Sequence, residues 1–284
     1  MIVVVIIAIA GASGMYWWQL RQLGPSGKSA PVPEVTAPAP TTSAAAAPTE
    51  PAIQFPIDAA GASGKSAVPS LADSDKYFAD AIGALVPRND MLKFLQLDKF
   101  ANRAVATIDN LARPHAAPML WPVTPPPGRF TTTEAGAAST AISAANSQRY
   151  APLVRFIESV DTTKAVALYV SAYPLFQQAY EELGYPRRYF NDRLVAVIDH
   201  LLATPTASDG LGVNLTEVKG PIAATRPWVR YEFSDATLES LSSGQKMMLR
   251  AGPDNQARLK IKLQEIRRQI TGAGLTKPAG TAKP

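Results

Sequence analysis

The sequence predicts a mainly α fold, an irregular helical bundle of about six to seven helices with at most short strands. Three observations point there. Apolar side chains recur three and four residues apart through most of 71–270, glycine and proline punctuate those runs, and strictly alternating stretches are few. An N-terminal transmembrane helix and a disordered tether are expected to precede the bundle.

The elements follow in chain order. Ser70-Leu71-Ala72-Asp73 reads as a capping-box-like opening, after which Tyr77, Phe78, Ala81, Ile82 and Leu85 share a helical face until Pro87. A second helix is expected from about Asp90 to Arg113, with Leu92, Leu95, Phe100, Ile108 and Leu111 toward the core. Pro118, Pro122 and Pro125–Pro127 make 114–128 an irregular crossing, and Arg129–Thr133 is a candidate strand. Helices are expected over Ser147–Val160 and from an Asp161 N-cap to Leu183, with a kink at Pro174. Gly184 and Pro186 then stop the chain, since glycine accepts left-handed backbone and proline cannot continue a helix.

Tyr189–Ala203 is the next helix, and Trp228–Phe233 a possible extended run. Two helices close the domain, about Asp235–Arg250 and Asp254–Thr271, parted by Gly252-Pro253. Leu259, Leu263, Ile266 and Ile270 form the apolar stripe of the last one. Arg258, Lys260, Lys262, Arg267 and Arg268 take its remaining faces, read as solvated.

From Ile2 to Leu20 there is no charged side chain. As a helix this run spans about 28 Å, close to the hydrocarbon thickness of a bilayer. Tyr16, Trp17 and Trp18 then sit where amphipathic rings prefer the headgroups, with Arg21 in water. Residues 1–23 are read as an anchor and not a cleaved signal: Ala8-Ile9-Ala10 comes too early, and no basic stretch precedes the apolar run. Residues 24–69 form a Pro/Ala/Ser-rich disordered linker, 70–271 the helical domain and 272–284 a disordered tail. Within the linker GPSGKSA (Gly24–Ala30) recurs as GASGKSA (Gly61–Ala67). A phosphate loop also needs a glycine six residues before the lysine, and Gln22 and Ala59 stand there instead.

Composition narrows the chemistry. Without cysteine there is no disulfide framework, iron–sulfur cluster or thiolate zinc site, and His115 and His200 alone do not make a multi-histidine metal centre. The net charge is +5. Across 71–270, however, Lys and Arg are nearly balanced by Asp and Glu, so no specific nucleic-acid partner is expected. No cofactor and no metal are expected either.

Two groups of residues carry candidate roles. Phe100–Leu111 and Phe190–Leu201 align without a gap, sharing Phe, Arg, Val, Ala, Ile, Asp and Leu. They are read as pseudo-equivalent helices of one core, with Arg103, Asp109, Arg193 and Asp199 in a structural polar network. The Arg and Asp of each helix lie six apart, on different faces, and so suit partners on other helices. The second group is the densest polar segment: Tyr180, Glu181, Tyr185, Asp192, Arg193, Asp199 and His200 form a candidate polar cluster or binding surface. Glu181 could act there as an acid or base if buried. The competing reading is a helix stop and restart with solvated charges and tyrosines stapling the corner. Ser243-Gly244-Gln245-Lys246 matches Ser-x-x-Lys, but the companion elements of penicillin-recognising enzymes are missing. Ser242 and Ser243 are read as helix-surface residues, and Gly244 as permitting close packing.

Several strings resemble a bacterial domain-of-unknown-function family, family 3014. They are Ala106-Thr107-Ile108-Asp109-Asn110-Leu111-Ala112-Arg113, Tyr180-Glu181-Glu182-Leu183-Gly184-Tyr185-Pro186, Phe190-Asn191-Asp192-Arg193-Leu194, Ile198-Asp199-His200-Leu201-Leu202-Ala203-Thr204-Pro205 and Leu241-Ser242-Ser243-Gly244-Gln245-Lys246. The similarity covers most of Leu71–Arg268. It implies a proteobacterial envelope protein, anchored N-terminally, with a helical domain beyond a proline-rich tether, and it brings no assigned activity. The expected protein is single-pass in the inner membrane with its folded domain in the periplasm. Its expected role is non-enzymatic, the helical domain binding a partner protein or cell-wall component. The alternative is a hydrolase-like envelope enzyme using carboxylates near Tyr180–Asp192.

Overall fold

A computed structural model describes residues 52–57, 68–134, 139–216 and 227–273. The expected anchor, both GKSA repeats and most of the linker and tail lie outside these residues. No helix among the described residues is long and apolar enough to cross a membrane.

The described chain is mainly helical, with ten α-helices and two small sheets. In order, α1 is Ser74–Gly83, α2 Arg88–Phe94, α3 Phe100–Leu111, α4 Ala145–Ser159 and α5 Thr162–Ser171. Then come α6 Tyr173–Glu182, α7 Phe190–Leu202, α8 Ala236–Glu239, α9 Ser243–Arg250 and α10 Pro253–Arg268. Ten stand where six or seven were expected because three expected helices are each divided.

The first division falls between α2 and α3. Leu95 turns extended and bridges Val123, while the Gln96 N–H donates to the Pro122 carbonyl (2.9 Å) and the Thr124 N–H to that of Phe94 (2.9 Å). Lys99 then takes a left-handed φ of 48°. The Asp75 carboxylate on α1 accepts from the N–H of Lys99 (3.0 Å) and Phe100 (3.3 Å), supplying from another helix the cap that α3 lacks locally. Leu92, expected in the core, is instead 62% exposed, whereas Leu95, Phe100, Ile108 and Leu111 are buried.

At the second division, α5 ends at Ser171 and Pro174 lies in the first turn of α6, where a missing N–H loses no hydrogen bond. The expected kink is a restart. At the third, the Ser242 hydroxyl accepts from the Gln245 N–H and Gln245 reaches back to the Ser242 N–H, a capping box that begins α9. Ser242 and Ser243 are thus buried structural residues, not surface ones. The opposite correction applies to Ser70: its hydroxyl donates to Asp73 (2.6 Å) without capping, and α1 starts after a 3-10 turn over Leu71–Asp73.

The helices α3 and α7 hold the centre, with α6, α9 and α10 packed around them. Their echo in sequence is an echo in space. α3 buries Phe100, Ala104, Val105, Ile108 and Leu111; α7 buries Phe190, Leu194, Val195, Ile198 and Leu201, the same offsets from each leading phenylalanine. Each phenylalanine contributes about 2–3 kcal/mol by burial. Leu259, Leu263 and Ile266 of α10, and Ile270 in the π turn Gln269–Ala273 that follows it, are all buried. Lys262, read as solvated, is 8% exposed and donates to the Val160 carbonyl (2.9 Å).

Among the described residues the strands form two hairpins of three-residue strands. β1 (Thr132–Glu134) pairs antiparallel with β2 (Thr140–Ile142), and β3 (Val213–Leu215) with β4 (Tyr231–Phe233). An Ala141–Gly212 bridge joins the hairpins beside a small second core of Phe130, Val213, Phe233 and Leu249. Only the end of Trp228–Phe233 is strand, since Pro227–Val229 forms a 3-10 turn.

Candidate functional site

Asp109 is the most committed charge in the domain. Its carboxylate accepts from Arg193 Nε at 2.9 Å, from an Arg113 guanidinium nitrogen and from the Tyr185 hydroxyl at 3.2 Å. A second Arg193 nitrogen donates to the Asp109 backbone carbonyl at 2.7 Å, and Arg113 also donates to Tyr185 at 2.6 Å. The Asp109 side chain is 5% exposed, so these bonds replace nearly all its water. Three donors and this burial hold the charge in place and keep it away from solvent.

The four-residue network expected from the helix echo forms only in part. Arg193 meets Asp109, joining α7 to α3. Arg103 instead donates to the Asp98 and Met119 carbonyls, and Asp199 pairs with Arg267 of α10. The two helices share a core but differ in neighbours, so equivalent positions find different partners. Arg113 was missed by the sequence reading because it lies just past the end of α3, outside the aligned block.

Gly184, at φ 111°, turns the chain between α6 and α7, and Tyr180 stacks on Tyr185 with centroids 4.6 Å apart. The tyrosines do staple this corner. Burial, then the Asp109 charge, raises the pKa of the Tyr180 hydroxyl. Glu181 and Glu182 are exposed, and accept from Gln177 (2.8 Å) and Gln178 (3.0 Å) on their own helix. Glu181 therefore lacks the burial that the acid–base role required.

His200 faces Ser242, with Nε2 2.8 Å from the hydroxyl. This resembles a nucleophile and base, but the serine is 8% exposed and caps α9. Burial, then the Arg193 charge, lowers the imidazole pKa. The Ser-x-x-Lys pair is likewise structural: the Ser243 hydroxyl donates to the Asn110 carbonyl (3.1 Å), and Lys246 pairs with Glu239 (2.7 Å). A cavity of about 20 Å³, room for a single water, is lined by residues including Asn146, Asp209 and Arg250 and by none of the candidate residues. Among the described residues no three His, Cys, Asp or Glu groups are placed to hold a metal ion.

Asp192 has a role that composition hid. Residues 52–57, inside the segment read as disordered linker, lie on the domain at the start of α7. The N–H groups of Gln54 (3.0 Å) and Phe55 (2.8 Å) donate to the two Asp192 oxygens, and that of Ile57 to the Tyr189 hydroxyl (2.7 Å). Asn191, fully buried, donates to the carbonyls of Phe55 (2.8 Å) and Ile270 (3.2 Å). One side chain thus ties this strap and the end of the C-terminal helix to the core. Phe55, the sole aromatic residue of the segment read as linker, was the available signal.

Among known protein families, the model of one described as a protein of unknown function, DUF3014, matches residues 100–267. No curated protein matches. No solved structure matches.

Proposed function

The chain belongs to the DUF3014 family, and from that premise we propose a non-enzymatic, membrane-anchored envelope protein whose helical domain binds a partner protein or cell-wall component. On this reading it is single-pass in the inner membrane, with the domain held in the periplasm by the proline-rich tether. The uncharged run Ile2–Leu20 supports the anchor. One observation carries the non-enzymatic part: the polar groups that could do chemistry are already engaged in holding the fold. Asp109 is held by Arg193, Arg113 and Tyr185; Asp192 holds the strap; Asp199 pairs with Arg267; His200 meets a capping serine. The hydrolase alternative rests on Glu181 and Glu182, whose exposure gives it no support.

In-cell crosslinking of the full chain, with identification of what is captured, tests this function. Recovery of a specific envelope protein or wall fragment is expected, and recovery of the chain alone contradicts a binding role. A reporter fused after Pro284 tests the side: activity only of a cytoplasm-restricted reporter overturns the periplasmic placement.

A further inference from the structure

Building on the partner-binding reading above, we propose that the groove at the start of α7 is a docking site for a peptide with a proline between two bulky apolar residues, bent as the strap is at Gln54 and Phe55, and that residues 52–57 occupy it in cis as a competitor. Among the described residues, the hydrogen bonds between this strap and the domain are made by its backbone: the N–H groups of Gln54, Phe55 and Ile57, and the Phe55 carbonyl. Backbone contacts read no side chain, so another chain that bends in the same way, turning two successive N–H groups onto Asp192, can make the same set. Selectivity lies in Phe55 and Ile57, which pack on the core, while Gln54 and Pro56 are exposed and Ile53 is 55% exposed.

Pro56 has a reason to stand between them. It carries no N–H, so no donor is left over between those of Phe55 and Ile57, and its ring presets extended backbone. The receiving groups are held by the domain itself. Asn191 accepts from the Tyr169 hydroxyl (3.0 Å), its N–H donates to Tyr173 (3.3 Å), and the Tyr173 ring packs 5.1 Å from that of Tyr189. Asp192 stands in the first turn of α7, where the helix dipole favours a carboxylate. The strap is covalently joined to the domain through residues 58–67, so it competes as an intramolecular ligand. A partner segment must displace it, which makes the groove conditional on the chain's own tether.

The test uses the full chain and a fluorescently labelled synthetic peptide of residues 50–59. The Phe55→Ala/Ile57→Ala chain is expected to bind it at least about tenfold more tightly than wild type, whose intact strap competes. Adding Asp192→Ala to that chain should weaken binding at least about tenfold. Equal binding to the wild-type and double-variant chains overturns the proposal, as does an Asp192→Ala chain of unchanged affinity. A wild-type dimer that the double variant abolishes also overturns it, because the strap then comes from a second copy. A measurement free of substitutions stands beside these: excess unlabelled peptide should speed amide exchange at Gln54, Phe55 and Ile57 in wild type, and unchanged exchange contradicts displacement. Loss of peptide binding with partners still crosslinked in cells sinks the groove alone; peptide binding without any partner sinks the function alone.

Discussion

Arg193 on α7 grips Asp109 on α3 twice, through Nε to the carboxylate (2.9 Å) and through a terminal nitrogen to the backbone carbonyl (2.7 Å). The contact joins the two helices that echo each other in sequence, and it fixes their rotation as well as their spacing. A buried carboxylate that loses its partners is expensive, whereas an exposed pair contributes little.

Asp109→Ala should therefore destabilise the domain by about 2–3 kcal/mol, below the fully buried case because Arg193 keeps 28% exposure. Asp199→Ala breaks the Arg267 pair, whose partners are 38% and 47% exposed, and should change stability by less than about 1 kcal/mol. Thermal melts of the two variants check this; equal losses would contradict the central place given to Asp109.

Gly244→Ala should destabilise by about 1–3 kcal/mol, since a Cβ there would stand 2.7 Å from a Leu201 methyl and 2.9 Å from the Leu111 carbonyl oxygen. The methyl can move, but the backbone oxygen cannot. Gly83→Ala, where a Cβ meets nothing within 4 Å, should instead be neutral or stabilise by up to about 1 kcal/mol. Denaturant midpoints that shift alike for both would refute close packing of α9 on α3 and α7.

His200 makes stability depend on pH. Its pKa is lowered in the fold from the ordinary 6.5, chiefly by burial, so the unfolded chain takes up the proton first as pH falls. Its contribution is full above about pH 6.5 and shrinks below that, toward the folded-state pKa. Wild-type Tm should drop more steeply than that of His200→Gln between about pH 7 and 5. Parallel curves would show that His200 does not titrate with unfolding.

Much of this architecture was legible in the sequence, and the parts that were not have a common cause. The α7 limits, the α10 stripe and the α3–α7 echo follow from the spacing of apolar residues, which burial enforces locally. The breaks at Leu95 and Ser242 depend on a partner distant in sequence or on a cap inside a helical pattern: Val123 for Leu95, Gln245 for Ser242. Apolar spacing continues across such breaks. Asp192 looked like a surface charge because its partners are backbone amides of Gln54 and Phe55, and backbone amides carry no residue-type signal.

Ser242→Ala separates cap from dyad. It should lower stability by about 1–2 kcal/mol through loss of the α9 cap. A double-mutant cycle with His200→Gln should show coupling, because the hydroxyl lies 2.8 Å from the imidazole. Additive losses would mean that the His200–Ser242 contact contributes nothing to the fold.

Membrane fractionation of cells expressing the full chain tests the central claim most directly. The account predicts that the protein stays with membranes through alkaline carbonate washing, and that deleting residues 2–20 releases it. An intact chain recovered in the soluble cytosolic fraction would contradict the anchor and, with it, the envelope role.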